Sequence, residues 1–568
     1  MASDEADQAP VTRDDEFDTD VLVVGAGPVG LVLACALTHH GVRTRVVERR
    51  DEPRRDSLAN NLLSRPQELL VAIGVREVLA ADASPAERAH VLLGGRPLDT
   101  IRFDRVASPH PTVLYSSQAV IERRLREVLT DRGARVEEGT TLTALEQDAD
   151  GVRATLSVQQ GDHGAVEQRV LRCRYLVGAD GVRSTVRDLL GIEVPTHTFE
   201  GRATRQIDAT LSWRRPTEPD SVWFSTYRHG FAGVLPVSGG RHRLFFLEDD
   251  AGVPDRDPTL EEMRARARQV TGDPTVTLSD PAWTSHGRFT HGVASAHADR
   301  RVFLVGDAGH LNLPIGGQGM NAGLHDAVGL AWRLAMTLAG TGGDPVLGSY
   351  AIERHGEHVR LDEQQATGFR RLMYRSRIQD AALRVAAGAV PGLGARLFGA
   401  EDLQQLSVGY PDSPLTEDHL PTRTRVHRSA VTAGRRAPDA RVALADGTGT
   451  PLFDHIYNPD GHTWGWCLLA FDGRDRGARA ALDRALDAAG PHPWVHPRLV
   501  LAAPRADESA GPATCLFDLD GVAHGAYGLQ RTPALVLVRP DGHVAFRSSA
   551  GSADQLAAFC AAVTRTAA

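Results

Sequence analysis

Close to its amino end the chain alternates short apolar runs with turn residues, the pattern of a parallel strand–helix–strand unit. Val21–Val24 is a continuous apolar run, as expected for a parallel strand that is buried on both faces. Apolar residues then recur at helical spacing between Leu31 and Thr38, Gly41 ends this helix, and Thr44–Val47 is a second strand. We therefore predict a βαβ unit over residues 20–48.

The turn inside this unit has the chemistry of a dinucleotide site. It reads Gly25-Ala26-Gly27-Pro28-Val29-Gly30, a GxGxxG pattern between a strand and a helix whose amino end can receive a pyrophosphate. Glu48 ends the second strand, where an acid can hold a ribose hydroxyl. A structural glycine turn is the alternative, but strand, helix, second strand and terminal acid all agree with dinucleotide binding. The predicted contacts are Gly25, Gly27, Pro28, Gly30, Glu48 and Arg49.

Two later segments repeat the join of an apolar strand to a glycine turn. "YLVGADGVRSTVRDLLG" leads into Asp180-Gly181, and "RVFLVGDAGH" leads into Gly306-Asp307. The stretch from Gly306 to Ala327 has six glycines in its first eighteen residues, followed by apolar residues at helical spacing. Because glycine is used where backbone approaches another group closely, this stretch is predicted to border a ligand.

The middle and the end of the chain have different patterns. In residues 191–295, "SVWFSTYRHGFAGVLPVSGGRHRLFFLED" has strand-like runs around Gly239-Gly240, a hairpin pattern that predicts a β-rich unit. Residues 401–430 contain proline and charge and are predicted to be a linker. Residues 431–568 have buried strands in "TWGWCLLAF" and "PALVLVRPDGHVAFRS", and helices in "ARAALDRALDAAG" and "SADQLAAFCAAVTR".

Composition limits the class of protein. A chain of 568 residues predicts two to four domains. The net charge of −9 arises mainly in residues 1–20, so the body is near neutral and lacks the basic excess of a nucleic-acid binder. Residues 1–19 are predicted to be a disordered acidic tail. The uncharged run from Val21 to Leu37 has an acidic start and glycine interruptions, which argues against a signal peptide, and we predict a cytoplasmic protein without a membrane segment.

The basic residues and cysteines exclude further chemistry. All 63 basic residues are arginine, so no catalytic, Schiff-base or phosphate-binding lysine exists. The five cysteines have neither a CxxC pair nor metal-ligand spacing, which predicts reduced thiols and no metal site.

The three glycine motifs together resemble the FAD-dependent aromatic hydroxylases typified by para-hydroxybenzoate hydroxylase. That family of group A flavoprotein monooxygenases carries GxGxxG, a DG motif and a GD motif in this order. The resemblance covers about residues 20–370 and extends to Gln118, Glu122 and Leu125 of a Q-x-x-x-E-x-x-L pattern. Tyr350, Glu353 and Arg354 match the pattern that follows the GD helix.

The resemblance implies roles for particular residues. Asp307 would bond the ribityl chain of FAD, and Pro314 to Asn321 would pass beside the isoalloxazine ring, with the positive end of a helix starting near Gln318 aimed at its N1–C2=O edge. The implied catalytic residues are Pro314, Gly316, Gly317, Asn321 and Arg183, where Arg183 couples nicotinamide access to flavin position. Cofactor contacts beyond the first motif are Arg65, Gln118, Asp180, Gly306, Asp307, Pro314, Gly317, Gly319, Met320 and Asn321. Substrate candidates in the β-rich unit are Trp223, Phe224, Tyr227, His229 and Phe231, of which about half should only pack, since alternate residues face opposite sides of a strand.

One segment departs from the family. Relatives often read R-x-x-x-x-x-x-R-T-x-E where this chain has "LANNLLSRPQE". Arg65 and Glu68 match, whereas Leu58 stands at the usual first arginine and Pro66 at the usual threonine. Arg54 or Arg55 is the candidate to compensate for the missing arginine.

The predicted fold is α/β. A Rossmann-like FAD-binding domain is assembled from residues 20–190 and 296–400, with a β-rich substrate domain inserted at 191–295. Residues 431–568 resemble the thioredoxin-like domain of phenol hydroxylase and the polyketide-tailoring hydroxylases. A redox-active thioredoxin fusion is disfavoured, because Cys467 lacks a CxxC partner.

The predicted activity is NAD(P)H-dependent hydroxylation of an electron-rich aromatic compound. In this family the reduced flavin adds O2 at C4a, and the hydroperoxide transfers one oxygen atom. A polycyclic phenol such as an aromatic polyketide is favoured over a small benzoate, and NADPH over NADH. A Baeyer–Villiger oxygenase on the same scaffold and a catalytically silent flavin-binding protein are the alternatives. A halogenase needs a lysine and a WxWxIP segment that the chain lacks. A homodimer, through the FAD domain or the carboxyl-terminal unit, is the assembly that we consider; no nucleic-acid or membrane partner is expected.

Overall fold

The fold is taken from a computed structural model of the whole chain. The structure describes residues 16–53, 59–159, 166–215, 220–227, 230–237, 239–249, 254–313, 316–373, 376–389, 400–420, 431–473, 478–502 and 514–566. Four predicted residues, Leu58, His229, Pro314 and Ile315, lie outside these ranges, as do Arg54 and Arg55.

The described strands follow one another in chain order. They are β1 (Thr19–Val24), β2 (Thr44–Val47), β3 (Asn61–Leu62), β4 (Ser84–Ala86), β5 (Arg88–Leu93), β6 (Arg96–Arg102), β7 (Val113–Tyr115), β8 (Val136–Glu137), β9 (Thr140–Gln147), β10 (Val152–Gln159), β11 (Val166–Gly178), β12 (Thr196–Ser212), β13 (Ser221–Tyr227), β14 (Gly230–Val237), β15 (Arg241–Asp249), β16 (Thr277–Val293), β17 (Ala298–Asp299), β18 (Val302–Leu304), β19 (His310–Leu311), β20 (Glu417–Asp418), β21 (Arg441–Ala443), β22 (Gly449–Pro451), β23 (Trp466–Phe471), β24 (Val495–Leu501), β25 (Thr514–Phe517), β26 (Ala534–Val538) and β27 (Val544–Ser549).

The described α-helices lie between these strands. They are α1 (Pro28–His39), α2 (Ser64–Ala72), α3 (Arg76–Ala80), α4 (Gln118–Asp131), α5 (Thr185–Leu189), α6 (Leu260–Thr271), α7 (Gln318–Leu338), α8 (Asp344–Met373), α9 (Arg377–Ala389), α10 (Ala400–Leu403), α11 (Phe453–Ile456), α12 (Arg479–Ala489), α13 (Val522–Ala526) and α14 (Ala553–Val563). None of these helices combines the length and apolar character needed to cross a bilayer.

The predicted βαβ unit forms the centre of a parallel sheet. Its order is β18-β11-β1-β2-β8, with β17 at one edge and β9 and β10 continuing from β11 as an antiparallel layer. The apolar face of α1 packs with α4 and α7 against this sheet, and Val21, Leu31 and Leu330 are fully buried in that core. The carboxyl ends of β1, β2, β11 and β18 therefore meet at one edge, where ligands bind in open α/β sheets.

The β-rich unit is a second sheet with the order β19-β16-β12-β15-β14-β13-β5-β6. Residues 191–295 were predicted to form a β-rich unit, and they do contribute strands to this sheet, but the sheet also includes strands from outside that range. Residues 88–102, which we assigned to the FAD domain, add the hairpin β5–β6 to this sheet, with β5 parallel to β13. This pairing joins residues more than 130 positions apart, so local sequence carries no signal for it.

The carboxyl-terminal body is built on a third sheet, ordered β20-β27-β26-β23-β24-β25-β21-β22. Strands β23 and β24 are parallel and joined through α12, and the β26–β27 hairpin runs antiparallel to β23 and leads into α14. Gly542 has a φ of +73° in the turn of this hairpin, a conformation for which an Asp-Gly pair is well suited.

This body shares a core with the rest of the chain. Trp332 of α7 packs edge-on against Trp466 of β23 with ring centroids 5.7 Å apart, and both rings are buried. The linker prediction for residues 401–430 is wrong for its described part, because Leu406, Val408 and Leu415 are buried. The predicted tail also ends earlier than residue 19, since Asp18 already pairs through its backbone N–H with the Arg172 carbonyl.

Candidate functional site

Two adjacent cavities lie where the parallel sheet meets the β-rich sheet. The first, called the turn cavity, has a volume of about 360 Å³ and is lined by the turns after β1, β2 and β11. The second, called the sheet cavity, has a volume of about 460 Å³ and lies between the start of α7 and one face of the β-rich sheet. Ala59, Val182, Asp307 and Met320 line both cavities, so one elongated ligand could extend through the two.

The three motif glycines have different local roles. A Cβ on Gly25, whose φ is +107°, would lie 2.4 Å from the Ala179 carbonyl oxygen, and a Cβ on Gly30 would lie 2.1 Å from the Gly25 oxygen. These two glycines allow strand, turn and helix to approach each other. Gly27 is different, because a Cβ there would meet no protein atom within 4 Å. The space beside Gly27 belongs to the turn cavity, next to the amino end of α1.

Polar groups surround this space. Glu48 is buried and accepts hydrogen bonds from the backbone N–H groups of Ala26 at 2.9 Å and Arg50 at 3.1 Å, which fixes its carboxylate at the cavity wall. The Gln118 side-chain oxygen accepts a bond of 3.2 Å from the Ala59 N–H. The predicted residues that line the turn cavity are Gly25, Gly27, Pro28, Glu48, Arg49, Gln118, Asp180, Arg183, Asp307 and Met320.

The DG turn presents a carboxyl group and an arginine to the same cavity. Burial raises the pKa of Asp180, although the Ser184 hydroxyl and the Val186 N–H donate hydrogen bonds to its carboxylate. Arg183 is exposed and lines the cavity beside Val182, at the junction with the sheet cavity. A cation at this position can attract a phosphate-bearing ligand.

The GD turn and the start of α7 form the floor of the sheet cavity. Asp307 is exposed at the junction of the two cavities. Gly316, Gly317, Gly319 and Met320 line the sheet cavity, and α7 begins at Gln318 with Gly317 in the left-handed region at a φ of +65°. The amino end of α7, with its positive partial charge, therefore faces the cavity.

Three predicted ligand contacts instead support the backbone. Gly306 and Gly30 are not among the residues lining either cavity; a Cβ on Gly306 would lie 3.1 Å from Val29, so its role is close packing of the GD turn against α1. Asn321 is fully buried behind the loop. Its oxygen accepts from the Leu63 N–H at 3.0 Å, and its amide nitrogen donates to the carbonyls of Gly317 at 2.7 Å and Asn61 at 3.0 Å. Asn321 thus holds the glycine segment from behind and does not line the cavity.

Arg65, a predicted FAD contact, likewise lines neither cavity. Arg65 is fully buried away from both cavities, where it donates to Glu68, to the Tyr457 hydroxyl and to the Asp541 carbonyl. The last two partners belong to the carboxyl-terminal body, so this arginine ties α2 to that body. A resemblance restricted to residues 20–370 could not show these partners.

The sheet cavity has one aromatic wall and one polar wall. Phe224, Phe231 and Phe245 form the aromatic wall; the Phe224 and Phe231 rings are stacked with centroids 5.6 Å apart, and Phe231 and Phe245 lie 5.7 Å apart. Neighbouring strands supply the polar wall, which consists of Thr204, Gln206, Arg243, Arg288 and Thr290. Since residues alternate between the faces of a strand, the pairs 204/206 and 243/245 reach the same cavity.

Arg243 is the buried charged group of this polar wall. Its Nε and Nη2 atoms each lie 2.8 Å from a different carboxylate oxygen of Asp208, and its guanidinium lies 4.8 Å from the Trp283 ring centroid. The bidentate pair fixes the plane of the guanidinium.

Half of the described substrate candidates face the other side of the sheet, as alternation requires. Trp223 packs against Trp213 and stacks on His90, and Tyr227 contacts the guanidinium of Arg266, all outside the sheet cavity. Phe224 and Phe231 do line it. Five further residues line the sheet cavity and were not predicted: Asn61, Tyr115, Gln206, Arg243 and Phe245. Strand alternation in "RHRLFFLED" is a usable signal for Arg243 and Phe245, whereas Asn61 and Tyr115 come from a small separate sheet, β3-β7-β4.

One buried cluster next to the GD turn has the composition of a metal site. His310, Asp326 and His358 bring their ligand atoms within 4.8 Å of one another. The His310 and His358 rings are nevertheless stacked with centroids 3.6 Å apart, and Arg354 donates to Asp326 at 2.6 Å. A guanidinium already bound to the carboxylate is unfavourable for a cation at this position, and the cluster is better described as a hydrogen-bond network.

This arrangement defines a class of protein before any comparison. A GxGxxG turn with free space beside Gly27, a fixed acid after β2 and two further turns around the two adjacent cavities fit a flavin dinucleotide. Backbone N–H groups at two helix starts, the Glu48 and Asp307 carboxylates and Arg183 provide donors and acceptors suited to its phosphates and hydroxyls.

Known proteins identify the family. The protein-family model described as "FAD binding domain" matches residues 18–362, which are more than half of the chain. The protein therefore belongs to the FAD binding domain family. A relative from Streptomyces rimosus, 12-dehydrotetracycline 5-monooxygenase/anhydrotetracycline 6-monooxygenase, is 36% identical over 420 residues, which are 70% of this chain and 81% of the relative. The 6-methylpretetramide 4-monooxygenase of the same species is 32% identical over 556 residues, 95% of this chain and 92% of the relative.

Solved structures of related enzymes superpose on this chain over nearly its full length. Anhydrotetracycline hydroxylase from Streptomyces rimosus superposes with a TM-score of 0.68 at 29% identity and covers 97% of this chain and 100% of its own. A ternary complex of aklavinone-11 hydroxylase with FAD and aklavinone gives a TM-score of 0.70 at 25% identity, with 97% and 99% covered. The protein is therefore an FAD-dependent monooxygenase related to the aromatic hydroxylases, and its cofactors are FAD, NAD(P)H and O2.

Proposed function

We propose that this monooxygenase hydroxylates a polycyclic phenol of the aromatic polyketide type and uses NADPH as reductant. The observation that carries the proposal is the sheet cavity, which joins an aromatic wall and a polar wall directly over the glycine segment 316–320. The related enzymes named above act, by their names, on tetracycline precursors and on aklavinone.

FAD is proposed to extend through both cavities. Glu48 and Gln118 would hold the adenosine side, the amino end of α1 beside Gly27 the pyrophosphate, and Asp307 the ribityl hydroxyls. Gly316, Gly317 and Gly319 would then border the ring. When bound and reduced, FAD supplies the activation of O2; the chain orients it, holds the substrate beside it and keeps bulk water away.

The two walls of the sheet cavity favour a fused-ring substrate with oxygen atoms along one edge. The three phenylalanines can cover flat apolar rings, while Gln206, Arg243 and the two threonines can bond hydroxyl or carbonyl oxygens on the opposite edge. A guanidinium facing a phenol also favours the ionised oxygen, which makes the aromatic ring more electron-rich.

We also propose that the carboxyl-terminal body is a thioredoxin-like domain without redox chemistry. The order β27-β26-β23-β24, with β23 and β24 parallel and the other two antiparallel to their neighbours, supports this. Cys467 is buried, which raises its thiol pKa to about 12 and disfavours the reactive thiolate. A homodimer through this body or the FAD domain stays a prediction.

The test is a substrate panel with the FAD-loaded protein. Anhydrotetracycline and aklavinone represent polycyclic phenols and 4-hydroxybenzoate a small one; NADPH consumption, H2O2 release and product mass under ¹⁸O2 are measured. We expect a polycyclic phenol to gain one labelled hydroxyl oxygen with little H2O2. A labelled lactone or ester product would overturn the proposal in favour of a Baeyer–Villiger oxygenase, and exclusive use of the benzoate would overturn the substrate class.

A matched pair of variants tests the polar wall. Arg243→Met removes the buried cation of the cavity, and we expect at least a tenfold rise in KM for the polycyclic phenol. Arg205→Met is the control, because Arg205 lies on β12 and pairs with Glu248 outside the cavity. Equal kinetics of the two variants would show that Arg243 does not bind substrate.

A further inference from the structure

Asp326 lies in α7, fully buried, two turns beyond the glycine segment at the start of that helix. Each of its carboxylate oxygens accepts two hydrogen bonds, and the two sets of donors come from different parts of the molecule. Although burial acts to raise its pKa, the neighbouring His358, Arg354 and His310 outweigh this and hold the pKa well below the usual range. The group is therefore a buried anion.

One oxygen is bound by α8. Oδ1 accepts from Arg354 Nε at 2.6 Å and from His358 Nε2 at 2.8 Å. Arg354 is itself fixed, since it donates to the Tyr410 hydroxyl at 2.7 Å and to the Ala322 carbonyl at 3.1 Å. This side anchors the carboxylate in the rigid helical layer.

The other oxygen faces the GD turn. Oδ2 accepts from the Gly306 N–H at 2.9 Å and from His310 Nε2 at 2.9 Å. Gly306, with a φ of +59°, immediately precedes Asp307, which lines both cavities. A displaced Gly306 would therefore move the Asp307 carboxylate.

His310 links the Asp326 carboxylate to a residue that lines the sheet cavity. Its Nδ1 accepts from the Asn312 amide at 2.7 Å, and Asn312 lines the sheet cavity. A Cβ on Gly319 would lie 3.3 Å from the Asn312 Cβ, so Asn312 packs directly against the start of α7. The chain Asp326–His310–Asn312 thus ends at the glycine segment.

We infer that Asp326 is a positioning residue for FAD: through Oδ2 it sets the GD turn that carries Asp307 and, through His310, the Asn312 wall beside the glycine segment. Four donors converge on it, and a carboxylate can accept all four. An amide of the same shape has one accepting oxygen. With that oxygen held by Arg354, its NH2 would face the Gly306 N–H, donor against donor.

Asp326→Asn is the first test, with Tyr410→Phe as its control. The control removes an acceptor from Arg354, in the same network but one residue further from the site. FAD affinity of the apoproteins is measured by fluorescence titration and their stability by thermal unfolding. We expect Asp326→Asn to raise the Kd for FAD at least tenfold, while Tyr410→Phe, with a comparable loss of apoprotein Tm, stays within twofold of wild type. A Kd within twofold for Asp326→Asn, or an equal rise in the control, would overturn the inference.

Two substitutions of His310 keep the inference testable if Asp326→Asn does not fold. His310→Gln places an amide nitrogen near the position of Nε2 and can keep the bond to Asp326, whereas His310→Asn mimics Nδ1 and can keep the bond to Asn312. If both hydrogen bonds of the Asp326–His310–Asn312 chain are needed, each variant raises the Kd for FAD at least threefold and alters the visible circular dichroism of the bound flavin. Wild-type behaviour of either variant would show that its missing bond is not needed and would overturn the inference.

Discussion

Arg436 places two guanidinium nitrogens 2.6 and 2.7 Å from the two carboxylate oxygens of Glu68, across the contact between the carboxyl-terminal body and α2. Arg65 donates to the same carboxylate at 3.0 Å. Burial alone would raise the pKa of Glu68, but Arg436 and Arg65 together lower it. One buried anion therefore compensates two buried cations from separate parts of the chain.

Glu68→Gln should be strongly destabilising. The amide keeps the shape but leaves two buried guanidinium groups without their counter-charge, and breaking a buried ion pair in this way costs about 3–5 kcal/mol. Urea unfolding at neutral pH measures the loss. Glu77→Gln is the control, since Glu77 pairs with Arg76 at an exposed position; we expect a change within about 0.5 kcal/mol. Equal small changes for both variants would contradict the coupling of α2 to the carboxyl-terminal body.

Phe224 and Trp223 should separate substrate binding from folding. Phe224→Ala removes part of the aromatic wall and should raise KM for a polycyclic phenol, with burial of one ring worth about 1.5–3 kcal/mol. Trp223→Ala should instead lower the Tm by opening the packing against Trp213. Steady-state kinetics and thermal unfolding of both variants decide this. A change of KM for Trp223→Ala as large as for Phe224→Ala would contradict the assigned faces of β13.

The cofactor turns were predictable because their signals are local. Gly25 and Glu48 directly follow a strand, Asp180 and Asp307 lie within three residues of a strand end, and the carboxyl ends of parallel strands meet at one edge of a sheet. The position of α7 followed equally from helical spacing after a glycine run.

The features that could not be predicted from the sequence depend on contacts between residues far apart in the chain. The hairpin β5–β6 joins the β-rich sheet through a parallel contact with β13, and Arg65 finds its partners in Tyr457 and Asp541, almost four hundred residues or more away. Family resemblance gave Arg65 and Asn321 direct ligand contacts, whereas hydrogen bonding places both behind the site.

Acid should destabilise the protein through His297. Burial lowers its pKa from 6.5 to about 3, and neither ring nitrogen has a hydrogen-bond partner among the residues that the structure describes. Above pH 6.5 the imidazole is neutral in both states, so it has no effect on the pH dependence. Between pH 6.5 and about 3 the unfolded chain binds a proton that the folded chain excludes. As the pH falls through this range, the free energy of unfolding therefore decreases by up to about 1.4 kcal/mol per pH unit because of this group. Urea unfolding of His297→Leu from pH 8 to 5 should show a shallower fall than wild type; parallel curves would contradict this origin.

The last prediction compares two glycines of one motif, three residues apart. A Cβ on Gly30 would lie 2.1 Å from the Gly25 carbonyl oxygen, so Gly30→Ala must push α1 away from β1 and should destabilise the apoprotein. A Cβ on Gly27 meets no protein atom within 4 Å, and Gly27 has a φ of −72° that alanine adopts freely. Gly27→Ala should therefore leave apoprotein stability within about 1 kcal/mol, since an N-cap alanine is only modestly worse than glycine.

The added methyl group of Gly27→Ala would occupy the turn cavity where the pyrophosphate is proposed to lie. We expect the Kd for FAD to rise at least tenfold, which corresponds to about 1.4 kcal/mol. Thermal unfolding of the apoproteins and fluorescence titration with FAD separate the two effects. Unchanged FAD affinity in a stable Gly27→Ala protein would show that the cofactor does not pass beside α1. That result would contradict the proposed path of FAD through the two cavities.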